Sequence, residues 1–290
     1  MKVTDDLLRA RGMPQPDAGA DKEGRGTVLV VAGSAEVPGA ALLAAIAALR
    51  VGAGRLTIAT AASVAVPLGL EVPEARVIGL PETSLGGFEP AGVDRLLPLA
   101  GRIDALVIGP GMADEEATVA ITRALLAGFD VPAVLDALAM SAVRGNWSPR
   151  GPVVLTPHAG EMAHLTGLSK EAVLAEPSAQ ACAAAEAWGA GVVLKGATTC
   201  IAWPGESCWH HDGGDVGLAT SGSGDTLAGL VGGLMARGLA PLDAALWGVR
   251  LHALAGERLA ARQGRLGYLA RELGAEVPAA MHALCAPSSK

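Results

Sequence analysis

The sequence predicts an α/β domain built on a mostly parallel sheet that ends in an antiparallel hairpin. Short β-branched runs alternate with longer Ala- and Leu-rich stretches, the pattern of successive βαβ units. Six runs are read as strands: "TVLVVA" from Thr27, "RLTIAT" from Arg55, "ALVIG" from Ala105, "PAVLD" from Pro132, "VVLT" from Val153 and "GVVLK" from Gly191. Between the first two, "GAALLAAIAALRVGAG" (39–54) is apolar nearly all round and closed by glycines, as a helix buried between layers would be. After the sixth strand, "TTCIAW" and "SCWHH" flank "PGE", a turn signal that makes them a hairpin. Two helices follow, at 222–237 and from Pro241, where proline suits the first turn.

Composition narrows the classes of function. The chain has 290 residues, 51% hydrophobic and 18% charged, ample for a globular core and unlike a disordered segment. Aromatic residues make up only 3% while glycines number 39, which predicts close helix packing and tight turns in place of ring stacking. A net charge of −7 gives no basic face for nucleic acid or an anionic membrane. Residues 1–25 have no signal-type apolar core and are expected to be a loose arm, with 26–290 as a single domain. No run reaches the length of a membrane span, so a soluble cytoplasmic protein is expected. Cys182, Cys200, Cys208 and Cys285 are too scattered for a disulfide framework and are read as reduced. Cys200, Cys208, His210 and His211 gather on the hairpin and are soft ligands by type. The string "CIAWPGESCWHH" lacks the paired spacing of zinc sites, however, so no structural zinc is expected.

In open α/β sheets ligands collect beyond the carboxyl ends of the strands. Five such ends carry turn or polar residues: "GSAEVPGAA" after the first strand, "GPGM" (109–112), Asp136, "PHAGE" (157–161) and "GATT" after Lys195. The most pointed stretch is "LATSGSGDTLAGL". Its glycines turn the backbone amides into one concavity, and the helix that follows adds its positive end, so the loop is an anion cradle suited to phosphate. Asp225 at its lip repels phosphate and must do something else. As a helix N-cap it would be worth about 1 kcal/mol. A carboxylate beside bound phosphate can also take the proton of an attacking hydroxyl, and that general-base role is the reading adopted.

These stretches together carry a resemblance. "GSGD" opening a helix after a terminal hairpin looks like the ribokinase-like superfamily. The segments "DALVIGPGM", "AVLDALAM", "VVLTPHAGEMAHLTG", "VVLKGATT" and "LATSGSGDTLAG" resemble, in order, the ADP- or ATP-dependent NAD(P)H-hydrate dehydratases. The resemblance runs over about 26–238 and implies a three-layer αβα sandwich. It implies an enzyme that repairs NADH or NADPH whose reduced ring has taken up water (NADHX or NADPHX), with ADP or ATP as co-substrate and Mg²⁺. Carried over by motif, the hydrate would lie near Ala40, Gly109, Gly111, His158 and Asp225, with Asp225 as the catalytic base. Lys195, Gly196, Ala197, Thr198 and Thr199 would hold nucleotide phosphates, as would Gly222, Ser223 and Gly224, with the stretch 215–224 along the nucleotide. Glu161 would orient the metal through water. The resemblance also implies a homo-oligomer, a tetramer in many relatives, and a separate NAD(P)H-hydrate epimerase, since only about two dozen residues precede the first strand.

Three departures stand out. Leu138 takes the place of a second acid in "DALAM", Ser221 stands where glycine is common, and "GPGM" runs straight into "ADEEAT". Two rivals remain open from sequence alone: a small-molecule kinase of the same fold acting on a vitamin precursor or sugar, and an inactive nucleotide-binding sensor. His158 reads equally well as a turn residue and Glu161 as a surface salt-bridge partner, and the alternative for Lys195 is a strand-end surface lysine.

Overall fold

The computed structural model describes residues 1–15 and 24–286. In chain order it contains α1 (Asp5–Arg11), β1 (Thr27–Val31), α2 (Pro38–Arg50), β2 (Arg55–Ala61), α3 (Ala62–Glu71), β3 (Ala75–Leu80), β4 (Ala105–Ile108), α4 (Glu115–Gly128) and β5 (Ala133–Leu135). There follow β6 (Val153–Leu155), α5 (Ala159–Thr166), α6 (Lys170–Ala175), α7 (Pro177–Trp188), β7 (Gly191–Leu194), β8 (Thr199–Ala202), β9 (Trp209–His211), α8 (Ser223–Ala236), α9 (Pro241–Gln263) and α10 (Ala270–Cys285). The strands form one sheet in the order β3-β2-β1-β4-β5-β6-β7-β8-β9. It is parallel from β3 to β7; β8 and β9 are antiparallel, as the hairpin signal predicts.

Each central strand is buried on both faces, which explains the continuous apolar runs. Val28 and Val30 of β1 join a core under α2, α8, α9 and α10, while Leu29 and Val31 join a core on the other side with α4. That alternation is the period-2 signature of a strand between two helical layers. The expected tight helix contacts occur where α2 meets α8: a Cβ added to Gly229 would sit 2.1 Å from the carbonyl oxygen of Ala44. Nothing larger than glycine fits there, so the backbone of α2 fixes where α8, and the loop before it, sits.

Two regions differ from expectation. α3 and β3 were not foreseen; β3 pairs only with β2 at the sheet edge, so its "ARVIGL" is half-exposed and lacks the long apolar run of its neighbours. The expected loose arm is ordered over its first part. Thr4 caps α1 by accepting from the Leu7 amide (3.2 Å), Leu8 is fully buried, and Arg250 donates to Asp5 at 2.8 Å. A short amphipathic helix that docks an apolar residue does not need a long sequence to be held. The stretch 16–23 of that arm lies outside the described residues.

Candidate active site

Strand order reverses at β1, whose neighbours are β2 and β4, so the loops after β1 and β4 diverge and leave a crevice. Gly33 donates to the Pro110 carbonyl at 2.7 Å, which ties the two loops together. A Cβ on Gly111 would approach that of Ala40 to 2.5 Å, so the expected hydrate-side residues Ala40, Gly109 and Gly111 are brought to one place. Gly109 has φ +120°, and a Cβ there would meet the Asp136 carbonyl oxygen at 1.9 Å. Only glycine lets the β4 and β5 ends approach so closely. Next to Asp136, Ala137 has φ +48°, a left-handed conformation that costs a non-glycine residue about 1 kcal/mol. Strain of this kind gathers where a side chain must be aimed.

Asp136 is 3% exposed. Its Oδ1 accepts from Thr156 Oγ1 at 2.7 Å and from Lys195 Nζ at 3.2 Å. Lys195 is therefore not a surface lysine. Burial works against its charge, but the carboxylates of Asp136 and of Glu161, 3.7 Å away, outweigh burial and raise its pKa. The "TPHAGE" loop and the end of β7 run side by side: the Lys195 amide donates to the Pro157 carbonyl at 2.8 Å, and His158 bridges Lys195 in parallel. A Cβ on Gly224 would stand 3.1 Å from Lys195 Nζ and 4.0 Å from Asp136 Oδ2, so this ion pair packs directly against the cradle.

His158 is the N-cap of α5. Its Nδ1 accepts from the amides of Gly160 (3.0 Å) and Glu161 (3.1 Å), and Glu161 Oε2 returns the bond from the His158 amide at 2.7 Å. With Nδ1 accepting, Nε2 is the ring's donor, and it stands 3.6 Å from Glu161 Oε2 on a half-exposed ring. The turn-residue reading of His158 is therefore met by its capping of α5. Glu161 caps α5 and faces Lys195 at once. A groove of about 310 Å³ opens beside this loop, lined in part by Ala137, Leu138, His158, Gly160, Glu161 and His164. Leu138 lends it an apolar wall where a second acid was expected.

The cradle itself departs from a simple cap. Gly222, at φ +88°, is the N-cap of α8, and Asp225 is the third helical residue, so Asp225 does not cap the helix. Asp225 is half-buried, and its pKa is raised to about 6 by burial first and the nearby Asp136 charge second, against the pull of Lys195. The helix dipole favours an ionised acid in the first turn by a fraction of a kcal/mol, too little to overcome this burial. The Ser223 amide is turned toward the Thr220 carbonyl at 3.3 Å.

One residue here was not found by reading the sequence. His252, partly buried on α9, lies behind the cradle with Nε2 2.9 Å from Ser223 Oγ and 3.0 Å from the Ser223 carbonyl oxygen. Burial lowers its pKa to about 4, so it is a neutral donor that fixes the first turn of α8. A lone histidine inside "GVRLHALAGE" carries no motif, and only the packing of α9 on α8 reveals it.

The "GATT" turn is closer to its neighbours than expected. Thr198 Oγ1 donates to Asp212 at 2.9 Å and Thr199 Oγ1 to the Gly196 carbonyl at 3.5 Å, so both hydroxyls have acceptors within the protein. In the 215–224 stretch, Asp215 Oδ1 accepts from the Gly217 amide (3.0 Å) and Oδ2 from Arg265 (2.9 Å), which shapes a single 3₁₀ turn at Val216–Leu218.

The profile of the carbohydrate-kinase family described as NAD(P)H-hydrate dehydratase matches residues 28–279. The chain is 51% identical over 277 residues to an ADP-dependent (S)-NAD(P)H-hydrate dehydratase of Xanthomonas campestris, covering 95% of this chain and 94% of that one. It is 40% identical over 265 residues to a bifunctional NAD(P)H-hydrate repair enzyme of Moorella thermoacetica, 90% of this chain but 50% of that longer protein. A Bacillus subtilis ADP/ATP-dependent NAD(P)H-hydrate dehydratase, co-crystallised with ATP/Mg²⁺, superposes with TM-score 0.86 at 32% identity, covering 97% of each chain. With its ribokinase-like layering, its paired "TPHAGE" and "GSGD" loops and these likenesses over most of its length, the chain belongs to the NAD(P)H-hydrate dehydratase family.

Proposed function

We propose that the chain dehydrates NADHX or NADPHX at the expense of ADP or ATP, with Asp225 as general base. The observation that carries this is the half-buried Asp225 carboxyl, with its pKa of about 6, at the lip of the cradle. An acid tuned there is mostly ionised at neutral pH yet basic enough to accept a proton. In the first step Asp225 takes the proton of the hydrate's hydroxyl as that oxygen attacks the terminal phosphoryl group, and the P–O bond to AMP or ADP breaks. In the second, the ring nitrogen's electron pair expels phosphate and loss of the neighbouring ring proton restores the double bond. Phosphorylation turns hydroxide, a poor leaving group, into a good one.

Lys195 and the backbone of Gly196 and Ala197 are assigned to the nucleotide phosphates, with Thr198 and Thr199 shaping that turn. Gly222, Ser223 and Gly224 are assigned to the phosphoryl group in flight, where amide dipoles stabilise charge, the Ser223 amide having first to leave the Thr220 carbonyl. Ala40, Gly109, Gly111 and the His158 Nε2–H would meet the hydrate. Three carboxylates, Asp136, Glu161 and Asp225, act on the single cation Lys195, so the site carries excess negative charge before any phosphate enters. These hard oxygens suit Mg²⁺, and they do not converge as a three-ligand group among the described residues, which suits an ion held largely by water and phosphate. Bound there, Mg²⁺ would neutralise phosphate charge, with Glu161 orienting one of its waters.

The chain is also proposed to work as a homo-oligomer, as a tetramer, in the cytoplasm beside a separate NAD(P)H-hydrate epimerase. Val66 and Leu70, one turn apart on α3 and 73% and 80% exposed, offer an apolar face for a subunit contact. Free cysteines suit a reducing compartment, and no helix among the described residues is long and apolar enough to cross a membrane. The deciding experiment follows recovery of reduced-nicotinamide absorbance from NADHX and NADPHX with Mg²⁺ and ADP or ATP. Recovery that needs nucleotide and is lost in Asp225→Asn supports the proposal. Phosphate transfer to a vitamin or sugar alcohol without recovery would replace it with the kinase reading, and nucleotide binding without turnover with the sensor.

A further inference from the structure

We propose that Cys182, Cys200, Cys208 and His210 form a tetrahedral Zn²⁺ site between the terminal hairpin and α7, on the face of the sheet opposite α8. In the β8–β9 register Cys200 lies directly across from His210, and Cys208, two residues before His210, shares that face. The ligand atoms of Cys200, Cys208 and His210 all lie within 4.8 Å of one another. α7 closes the face: Ser178 Oγ stands 2.6 Å from His210 Nε2 and 3.5 Å from Cys200 Sγ, and one turn further on Cys182 packs against the same buried cluster as Cys208. His211, grouped with these residues by sequence, turns to the other face, where its Nδ1 accepts from the Gly213 amide. Cys182, distant in sequence, takes its place.

Three thiols and one imidazole are the donor set of closed structural zinc sites, and soft sulfur excludes Mg²⁺ and Ca²⁺ as occupants. Zinc–sulfur bonds of about 2.3 Å in a tetrahedron place ligand atoms roughly 3.8 Å apart, so closure asks the Cys200, Cys208 and His210 atoms to draw in by about 1 Å at most, while Cys182, outside that group of three, must turn its thiol in from α7. The outer shell is already built. Besides the Ser178 contact to Nε2, His210 Nδ1 lies 3.2 Å from the Met1 carbonyl oxygen, so whichever ring nitrogen binds the ion, the other keeps a polar partner. A core made only of small apolar groups would have no use for this histidine, whereas a metal site needs its orientation fixed. The ion would cross-link α7 to β8 and β9 immediately beside Thr199, at the base of the "GATT" turn.

The test uses the full chain, stripped with a chelator under reducing conditions and titrated with Co²⁺ and then Zn²⁺. One ion per chain, with the thiolate-to-cobalt charge-transfer bands of a tetrahedral site that vanish when one equivalent of Zn²⁺ is added, is expected. Melting temperature should rise with Zn²⁺. Cys208→Ser and Cys182→Ser, both half-buried positions, should weaken binding at least tenfold and abolish the zinc-dependent rise, while Cys285→Ser leaves both unchanged. Absence of the cobalt bands in the reduced protein, or bands undiminished in Cys208→Ser and Cys182→Ser, would overturn the site. None of these readouts depends on dehydratase turnover.

Discussion

Two clusters of reactive side chains sit on opposite faces near the same end of the sheet, and they are assembled by different rules. Around the cradle, Asp136 and Lys195 follow β5 and β7, Glu161 lies in the first turn of the helix after β6, and Asp225 lies at the start of α8. Parallel strands all finish at one edge, so residues far apart in sequence arrive together simply because each follows its strand. The cysteine–histidine cluster comes instead from the faces of two antiparallel strands and one helix, where proximity is set by pairing register and by how α7 lies. The energetics differ too. The cradle holds three acids against one lysine and keeps Asp225 basic at a cost to the fold, whereas thiols are small apolar groups that are buried cheaply until a metal deprotonates them. Strain and uncompensated charge thus mark the first site, and coincidence of soft ligands the second.

The sharpest way to break this contrast is Asp225→Asn. Loss of a general base should lower kcat by on the order of 10³-fold. The same change should stabilise the fold near neutral pH: a folded-state pKa raised from 3.8 to about 6 means that ionising Asp225 weakens the native state as pH rises through that window. Above pH 6 the variant should be more stable by on the order of 1–2 kcal/mol, and below pH 4 the difference should vanish, read from denaturant melts at each pH. A variant both slower and less stable throughout would mean that Asp225 serves the fold.

Next in size is Lys195→Ala, which strands the buried Asp136 carboxylate. It should cost about 3 kcal/mol, most of it recovered in Asp136→Asn/Lys195→Met, where neither charge remains. If the double variant is as unstable as the single one, the pair is needed for packing and not for charge balance. A subtler shift tests the coupling of the two acids. kcat/KM should fall on the acid side with an apparent pKa near 6, and Asp136→Asn should move that limb to lower pH by removing the charge that helps raise Asp225. A limb that stays put would assign it to another group.

The smallest effect is expected at His158. His158→Ala should cost about 1 kcal/mol through the lost cap of α5, whereas His158→Asn keeps a capping acceptor and should retain stability while raising KM, because the Nε2–H is gone. Equal KM values in the Asn variant and the parent would leave His158 as a cap alone.

Most of the parallel sheet was legible because strands buried on both faces must be continuous apolar runs, and β1, β2 and β4–β7 begin where those runs do. The edge strand β3 was not, since an edge relaxes that demand. α1 does not show in the sequence because a helix of seven residues leaves little periodicity to read. At the site, the "TPHAGE" and "GSGD" loops stood out because turns that cradle anions require glycine and a following helix, and such constraints are local. By itself the sequence determined the family, the layered fold and the edge of the sheet where the acids and the lysine would meet. Only the tertiary structure decided that Lys195 is clamped between Asp136 and Glu161, that burial lifts Asp225 to about 6, that His252 braces the cradle, and that Cys182 of α7 packs against the same cluster as the hairpin's Cys208. The physical reason is common to all four: burial, and which side chain faces which across a helix or strand interface, are properties of packing between distant segments.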